Sequence, residues 1–197
     1  MVSTGSASNR VPIMMLGPMP YPNVGATRDA GVLVDAPAGF RARERSVVIG
    51  SGAGRWEFAR REVLRWGVKT RAGFEVQAAG DPLERPSASA MAPVTPGETA
   101  EVRFRLPLFV LREPVRVIWV DDGPQRAGFG YGTLPGHPLV GEEAFIVERD
   151  DDGIVRFTVR AFAHPAPRWR MLAPVLSIAR GIMVRRYLRA LAGPLER

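Results

Sequence analysis

Five short segments bounded by turn residues, followed by one long amphipathic segment, constrain the fold of this chain more than any other feature. The five cover residues 100–106, 115–120, 127–132, 142–148 and 154–162. In the last of them Val155, Phe157 and Val159 alternate with polar side chains, which is the period of a strand with one buried face. Because strands that follow one another closely usually pair with each other, the segments predict an antiparallel sheet.

The long amphipathic segment begins near Pro174, since proline is tolerated in the first turn of a helix. Its apolar residues recur at helical spacing on one stripe: Val175, Leu176, Ala179, Ile182, Met183, Tyr187, Ala190 and Leu191. Gly193 and Pro194 end the pattern. We expect a long C-terminal helix whose apolar stripe fills the core.

The first half of the chain predicts fewer regular elements. Residues 54–66 carry apolar side chains at helical spacing and precede Gly67, which predicts a helix of about a dozen residues. Residues 68–78 are interpreted as a strand, and residues 80–98 as a loop rich in proline, glycine and serine. Residues 17–40 predict an extended, loop-rich segment.

The order of these elements predicts an α+β fold, with a helix-grip-like curved antiparallel sheet packed on the long C-terminal helix. We infer from this order a relation to the START and polyketide-cyclase-like folds, which often enclose an apolar cavity. Residues 1–16 are mostly small and polar and predict a disordered leader. Residues 17–197 are then expected to form a single globular domain.

The composition excludes several kinds of chemistry. The chain has no cysteine, which excludes disulfides and thiolate metal sites. No apolar run approaches the roughly 18 residues of a membrane-spanning helix, so we expect no membrane span and a cytoplasmic protein. The net charge is +7, but the basic residues, all arginine except Lys69, are spread along the chain, which argues against nucleic-acid binding.

The segment VVIGSGAGR, residues 47–55, contains two glycines at the spacing that begins a dinucleotide-binding fingerprint. Arg55 stands where the third glycine belongs, and the surrounding β-α-β alternation is missing. A tight turn before the first helix accounts for Gly50 and Gly52. We therefore expect no cofactor here.

The segment 127–132 has glycine at every second position. Ala127, Phe129 and Tyr131 share one face of the predicted strand, and the three glycines between and after them leave the other face bare. A bare face lets something approach the backbone closely. Either another protein element, such as the C-terminal helix, or a ligand lies against it.

The candidates for polar chemistry follow this strand. His137 is expected to be exposed on a loop. Glu142 and Glu143 are adjacent, so their side chains point to opposite faces. One of them faces Tyr131 or His137 as an acid/base pair, or both are solvated or paired with arginine. With only His137 and His164 in the chain and no ligand spacing, we expect no metal site.

Five arginines occupy polar positions of the predicted strands: Arg103, Arg105, Arg116, Arg156 and Arg160. Gathered on one face without acidic partners, they would suit an anionic partner. Acidic residues are numerous enough to neutralise most of them, so a solvated face is the default interpretation.

The segment RAGFGYGTLPGHPLVGEEAF, residues 126–145, resembles the signature of an uncharacterised family, domain of unknown function nineteen-ninety. The segments YPNVGATR, VVIGSGAGRWEFARREVLRW and AFAHPAP resemble other blocks of that family, although the last has Ala-His-Pro where the family tends to have Ser-Arg-Pro. The resemblance implies that six residues belong to the defining blocks: Tyr21, Arg28, Tyr131, His137, Glu142 and Glu143. It brings no established activity.

These observations favour a protein that binds a small, mostly apolar ligand between the sheet and the C-terminal helix. Tyr131, His137, Arg28 and either Glu142 or Glu143 are its candidate polar contacts. One alternative is a metal-independent acid/base enzyme of hydrolase, cyclase or isomerase type that uses the same cavity. A second alternative is an interaction protein with a basic sheet face.

Overall fold

Seven strands form one curved antiparallel sheet in the computed structural model, which describes residues 19–78, 91–105 and 110–193. The strands are β1 (Ala42–Ser51), β2 (Glu75–Ala78), β3 (Thr99–Arg105), β4 (Val110–Asp122), β5 (Arg126–Thr133), β6 (Leu139–Arg149) and β7 (Ile154–Pro165). Their order is β1-β7-β6-β5-β4-β3-β2, so β2 to β7 follow the chain and β1 pairs with β7. The predicted leader, residues 1–16, lies outside the described residues, as does much of the predicted loop 80–98.

Three α-helices accompany the sheet in the described part of the chain: α1 (Ala53–Val63), α2 (Gly67–Arg71) and α3 (Ala173–Ala190). Helix α3 packs on the face of the sheet that carries the fully buried side chains of Phe129, Phe145 and Phe157. We call this the inner face and the opposite one the outer face. Tyr187 of α3 and Leu191 just after it join the same core. The arrangement confirms the predicted α+β, helix-grip-like fold.

The glycines of the segment 47–55 form the tight turn between β1 and α1. Gly50 and Gly52 have φ angles of 137° and 83°, in the region that favours glycine. Arg55, which stands in place of a third glycine, donates hydrogen bonds to the carbonyl oxygens of Leu191 at 2.9 Å and Gly193 at 2.8 Å. Since the last carbonyls of a helix have no partner within it, Arg55 satisfies the end of α3.

The prediction of a strand over residues 68–78 is wrong for its first part, because only Glu75–Ala78 form a strand. Trp66 adopts a left-handed conformation, φ 60°, and the chain then forms α2 instead of a strand. Gly67 is required there, because a Cβ would lie 2.6 Å from the carbonyl oxygen of Glu62. Val68 is buried as part of this helix. In a sequence, a short apolar run does not distinguish a buried helix from a buried strand.

The sequence pattern does not predict β1. Register with β7 places Arg43 and Arg45 on the inner face and Glu44 on the outer face, so neither face reads as apolar there. This strand is an edge of the sheet, where charged side chains are common because they discourage pairing with other chains.

The apolar stripe of α3 is buried only toward its C-terminal end. Tyr187 is 3% exposed and Leu191 is fully buried, whereas Val175 and Ile182 are 61% and 48% exposed. The expectation that the whole stripe fills the core is therefore wrong, because residues in the N-terminal half of α3 line spaces between the helix and the sheet. No helix within the described ranges is long and apolar enough to cross a membrane.

The bare glycine face of β5 belongs to the outer face and is covered by residues 19–33. A Cβ on Gly130 would collide with the indole of Trp119 and lie 3.0 Å from the hydroxyl of Thr27, and one on Gly132 would collide with the phenol of Tyr21. Protein side chains therefore occupy this face. They come from Trp119 of β4 and from the N-terminal segment, and not from the C-terminal helix.

We expect Gly130→Ala to lower the free energy of unfolding by about 1–3 kcal/mol, because the added methyl group overpacks the contact with Trp119. Gly181→Ala is the control, since a Cβ on Gly181 in α3 meets nothing within 4 Å and alanine favours the helix. Urea denaturation measures both variants. Equal stability of the two variants would contradict the close packing of β5 under the indole of Trp119.

Candidate functional site

The adjacent glutamates at the start of β6 point to opposite faces, as predicted. On the outer face, the carboxylate of Glu142 accepts hydrogen bonds from the backbone N–H groups of Gly25 at 2.6 Å and Thr27 at 3.2 Å, and from the Thr27 hydroxyl at 2.9 Å. Burial raises the pKa of Glu142, and these donors partly offset that rise. Glu142 therefore attaches the N-terminal segment to the sheet.

Two more of the predicted site residues lie on the outer face. Arg28 forms an ion pair with Asp121 at 2.5 Å while 60% of its side chain stays exposed. Tyr21 is buried, and its ring packs edge-on against Phe162 at 5.7 Å between ring centroids. The structure therefore does not bring Tyr21, Arg28 or the carboxylate of Glu142 together with Tyr131.

A cavity of about 310 Å³ lies between the inner face and α3. We call it the inner cavity. Its walls are largely apolar, and include Phe74, Phe104, Leu111, Leu176 and Met183. This size is at the lower end of the range for small-molecule sites, roughly 300–1,000 Å³.

Five polar side chains meet at one wall of the inner cavity; this polar cluster consists of Lys69, Glu113, Tyr131, Glu143 and Tyr187. The buried ammonium of Lys69 on α2 donates a hydrogen bond to the Tyr187 hydroxyl at 2.8 Å. Its Nζ lies 3.6 Å from a carboxylate oxygen of Glu113 and 3.5 Å from one of Glu143. The Tyr131 hydroxyl donates a hydrogen bond to Glu143.

The polar cluster keeps a cation and two neutral phenols inside the protein. Burial by itself lowers the pKa of Lys69, but Tyr131, Tyr187, Glu113 and Glu143 together hold that pKa well above its usual value. Burial raises the pKa of Tyr131 and of Tyr187, so both phenols keep their protons. Burial also raises the pKa of Glu113, against the opposing effect of Lys69.

His137 is 6% exposed, so the expectation that it lies exposed on a loop is wrong. Its Nδ1 accepts a hydrogen bond from the backbone N–H of Leu139 at 2.9 Å, and the ring lines the inner cavity. Burial, aided by the charge of Lys69, lowers the pKa of His137 to about 3. The imidazole is therefore neutral at ordinary pH.

The structure brings Tyr131, His137 and Glu143 to one cavity and adds three residues that were not predicted as site residues, Lys69, Glu113 and Tyr187. Lys69 carried a signal, because it is the only lysine in a chain that otherwise uses arginine. The compact ammonium of lysine fits between phenol and carboxylate oxygens. The planar guanidinium of arginine has a different geometry and would need these oxygens arranged differently.

The arginines of the predicted basic face mostly have acidic partners. Arg103 pairs with Glu101, Arg105 with Glu75 at 2.6 Å, and Arg160 with Glu44 at 2.7 Å. A free basic sheet face is therefore not formed by these residues. Among residues 19–78, 91–105 and 110–193, no three histidine or acidic side chains are grouped to hold a metal ion.

Two of the solved structures that resemble this chain illustrate the shared fold. A hypothetical protein of Helicobacter pylori gives a TM-score of 0.53 at 11% identity, covering 78% of this chain and 86% of that one. Norcoclaurine synthase from Thalictrum flavum, in complex with dopamine and hydroxybenzaldehyde, gives a TM-score of 0.50 at 11% identity, covering 80% of this chain and 90% of its own. The chain is thus a helix-grip protein, and at such identity the likeness concerns the fold alone.

Residues 20–190 match the family described as a domain of unknown function, DUF1990, and the chain belongs to that family. A UPF0548 protein of Deinococcus radiodurans is 46% identical over 77 residues, 39% of each chain. A UPF0548 protein of Arabidopsis thaliana is 32% identical over 139 residues, 65% of this chain and 60% of that one. The matched regions therefore span less than two thirds of the length of these relatives.

We expect His137 to make the protein less stable in acid. Because its folded pKa of about 3 lies below the ordinary value of 6.5, the unfolded chain binds a proton that the folded chain does not in this window. Stability is then lost as pH falls from 6.5 toward 3, by at most about 1.4 kcal/mol per pH unit.

His137→Asn is the test, because an amide oxygen can accept the Leu139 N–H but does not titrate. Urea denaturation at several pH values in this window gives the difference in unfolding free energy between the two proteins. The native protein should lose stability relative to the variant as the pH falls. A constant difference would mean that His137 is accessible to protons in the folded state.

Proposed function

We propose that this protein binds a small, mostly apolar molecule in the inner cavity. The observation that carries the proposal is an apolar cavity that has one polar wall. Apolar walls favour removal of a ligand's apolar surface from water, and a few buried polar groups orient it.

The polar cluster offers the ligand both donors and an acceptor. Lys69 and the hydroxyl of Tyr187, which accepts from Lys69 and keeps its own hydrogen, are donors, and Glu143 is an acceptor that Tyr131 orients. His137 adds a neutral ring beside them. A ligand with one or two oxygen atoms on an apolar body is complementary to such a wall. Norcoclaurine synthase, whose fold is similar, is seen with dopamine and hydroxybenzaldehyde, and this precedent supports the proposal.

The probe for this proposal is N-phenylnaphthylamine, an uncharged aromatic compound whose fluorescence rises in apolar surroundings. We expect saturable binding by the native protein. Ala179→Trp, on the face of α3 that lines the inner cavity, should weaken it about tenfold because the indole fills part of the space.

The control is Ile178→Trp, which places the same indole at the preceding position of α3. Ile178 is 67% exposed and does not line the cavity, so this variant should bind the probe like the native protein. Equal weakening in both variants, or no saturable binding at all, would refute the inner cavity as the binding site. Native mass spectrometry of protein from its own host then identifies the bound molecule.

A second candidate function is acid/base catalysis in the same cavity. It is favoured by the hydrogen bond from Tyr131 to Glu143 beside the ammonium of Lys69. In this arrangement the Glu143 carboxylate removes a proton from a carbon next to a carbonyl group. Lys69 or Tyr187 donates a hydrogen bond to the resulting enolate oxygen, which stabilises its charge, while Tyr131 orients the Glu143 carboxylate through its hydrogen bond.

Proton removal is tested by deuterium exchange into β-tetralone, an apolar ketone, in D₂O with NMR detection. We expect the protein to accelerate exchange over buffer and both Tyr131→Phe and Glu143→Gln to slow it at least about tenfold. Tyr21→Phe changes a tyrosine on the outer face and should leave the rate unchanged. Exchange at the buffer rate with the native protein would reject this candidate.

A further inference from the structure

A second concave space lies on the other side of α3, between that helix and the edge strand β1. Its volume is about 540 Å³. Five arginines line it, one just before β1, two in β1 and two in α3: Arg41, Arg43, Arg45, Arg180 and Arg185. We call this space the arginine groove.

Strand alternation places Arg43 and Arg45 on the same side of β1. Arg43 and Arg45 stand opposite Ala161 and Val159 of β7 and so share the inner face. Glu44, between them, points to the outer face, where it forms an ion pair with Arg160 at 2.7 Å. Glu44 also lines the groove, but its carboxylate is paired with Arg160 and forms no ion pair with a groove arginine.

The groove arginines differ from most arginines of the sheet in having no acidic partner. Within the described parts of the chain, Arg41, Arg43, Arg180 and Arg185 form no ion pair, and Arg45 donates only to the carbonyl oxygen of Glu44. The remaining carboxylate that lines the groove, Glu143, already accepts a hydrogen bond from Tyr131. A cluster of unpaired guanidinium groups creates a positive potential that an anion would relieve.

The arginine groove adjoins the inner cavity. Five residues line both spaces: Leu139, Glu143, Ala163, Leu176 and Arg180. Leu176 and Arg180 lie one turn apart on α3, so the helix separates an apolar space from a cationic one at these two residues. A molecule in the inner cavity therefore lies next to the groove that the arginines line.

We propose that the ligand is an amphipathic anion, with its apolar part in the inner cavity and a carboxylate or phosphate group bound by the arginine groove. This inference rests on the proposed binding function and specifies its ligand class. Guanidinium groups suit both anions, because each presents two parallel N–H donors to two oxygen atoms. Arg180 lines both spaces, so the apolar part and the anionic group of the ligand meet beside this residue.

The experiment compares ligands that share one alkyl chain and differ in the head group. Decanol, decanoate, decyl phosphate and decylammonium are titrated, below their micelle concentrations, against protein loaded with N-phenylnaphthylamine. We expect decanoate and decyl phosphate to displace the probe at least about fivefold more tightly than decanol, and decylammonium to bind most weakly. The two anions together show whether the groove prefers a carboxylate or a phosphate.

Arg43→Gln and Arg180→Gln should each reduce the preference for the anions over decanol by about twofold to fivefold. Decanol itself should bind Arg43→Gln as it binds the native protein, because Arg43 lines the groove and does not line the inner cavity. Arg156→Gln is the matched control, because it removes the same charge from an exposed position of β7 on the outer face. Added NaCl should reduce the preference in the native protein, since it screens exposed charges.

The outcomes separate this inference from the function on which it rests. If decanol and the anions bind equally, or if Arg156→Gln lowers the preference as much as Arg180→Gln, the anion site is refuted while apolar binding stands. If none of the four compounds displaces the probe, the inference is refuted. If N-phenylnaphthylamine itself fails to bind, the proposed function fails first.

Discussion

Two neighbouring carboxylates on β6 organise both sides of the molecule. Glu142 accepts hydrogen bonds from Gly25 and Thr27 and attaches the N-terminal segment to the outer face. Glu143 accepts from Tyr131 and lies beside Lys69 on the inner face. Because side chains alternate along a strand, a one-residue slip of β6 would exchange the two carboxylates and break both sets of contacts. The register of β6 therefore determines both the outer packing and the cavity.

The polar cluster ties the cavity to the stability of the fold. A buried ammonium is costly unless several partners compensate its lost hydration, and the partners of Lys69 come from β4, β5, β6 and α3. Removing one partner leaves another buried polar group without a hydrogen-bond partner. The free-energy cost of that buried, unpaired group exceeds the stabilisation that the intact hydrogen bond contributes. The same groups that a ligand would contact thus also hold α2 and α3 against the sheet.

Periodicity predicted the elements whose faces differ clearly in polarity. The alternation in β7 and the buried end of the α3 stripe, at Tyr187 and Leu191, are of this kind. It failed for β1, an edge strand with arginine on its inner face, and for residues 68–74, where a left-handed Trp66 restarts a helix. Both failures have one cause. Contacts with a neighbouring element, and not the local sequence pattern, decide whether these residues form a helix or a strand.

By itself, the sequence determined the class of fold, the family, the opposite orientation of Glu142 and Glu143, and the need for close packing at the glycines of β5. Each of these follows from local spacing or from a recognisable block of residues. Only the tertiary structure decided that His137 is buried, that Lys69 meets Glu113, and that Arg180 faces the arginines of β1. These contacts join residues far apart in the chain, and their burial and charge exist only once the sheet has closed around α3.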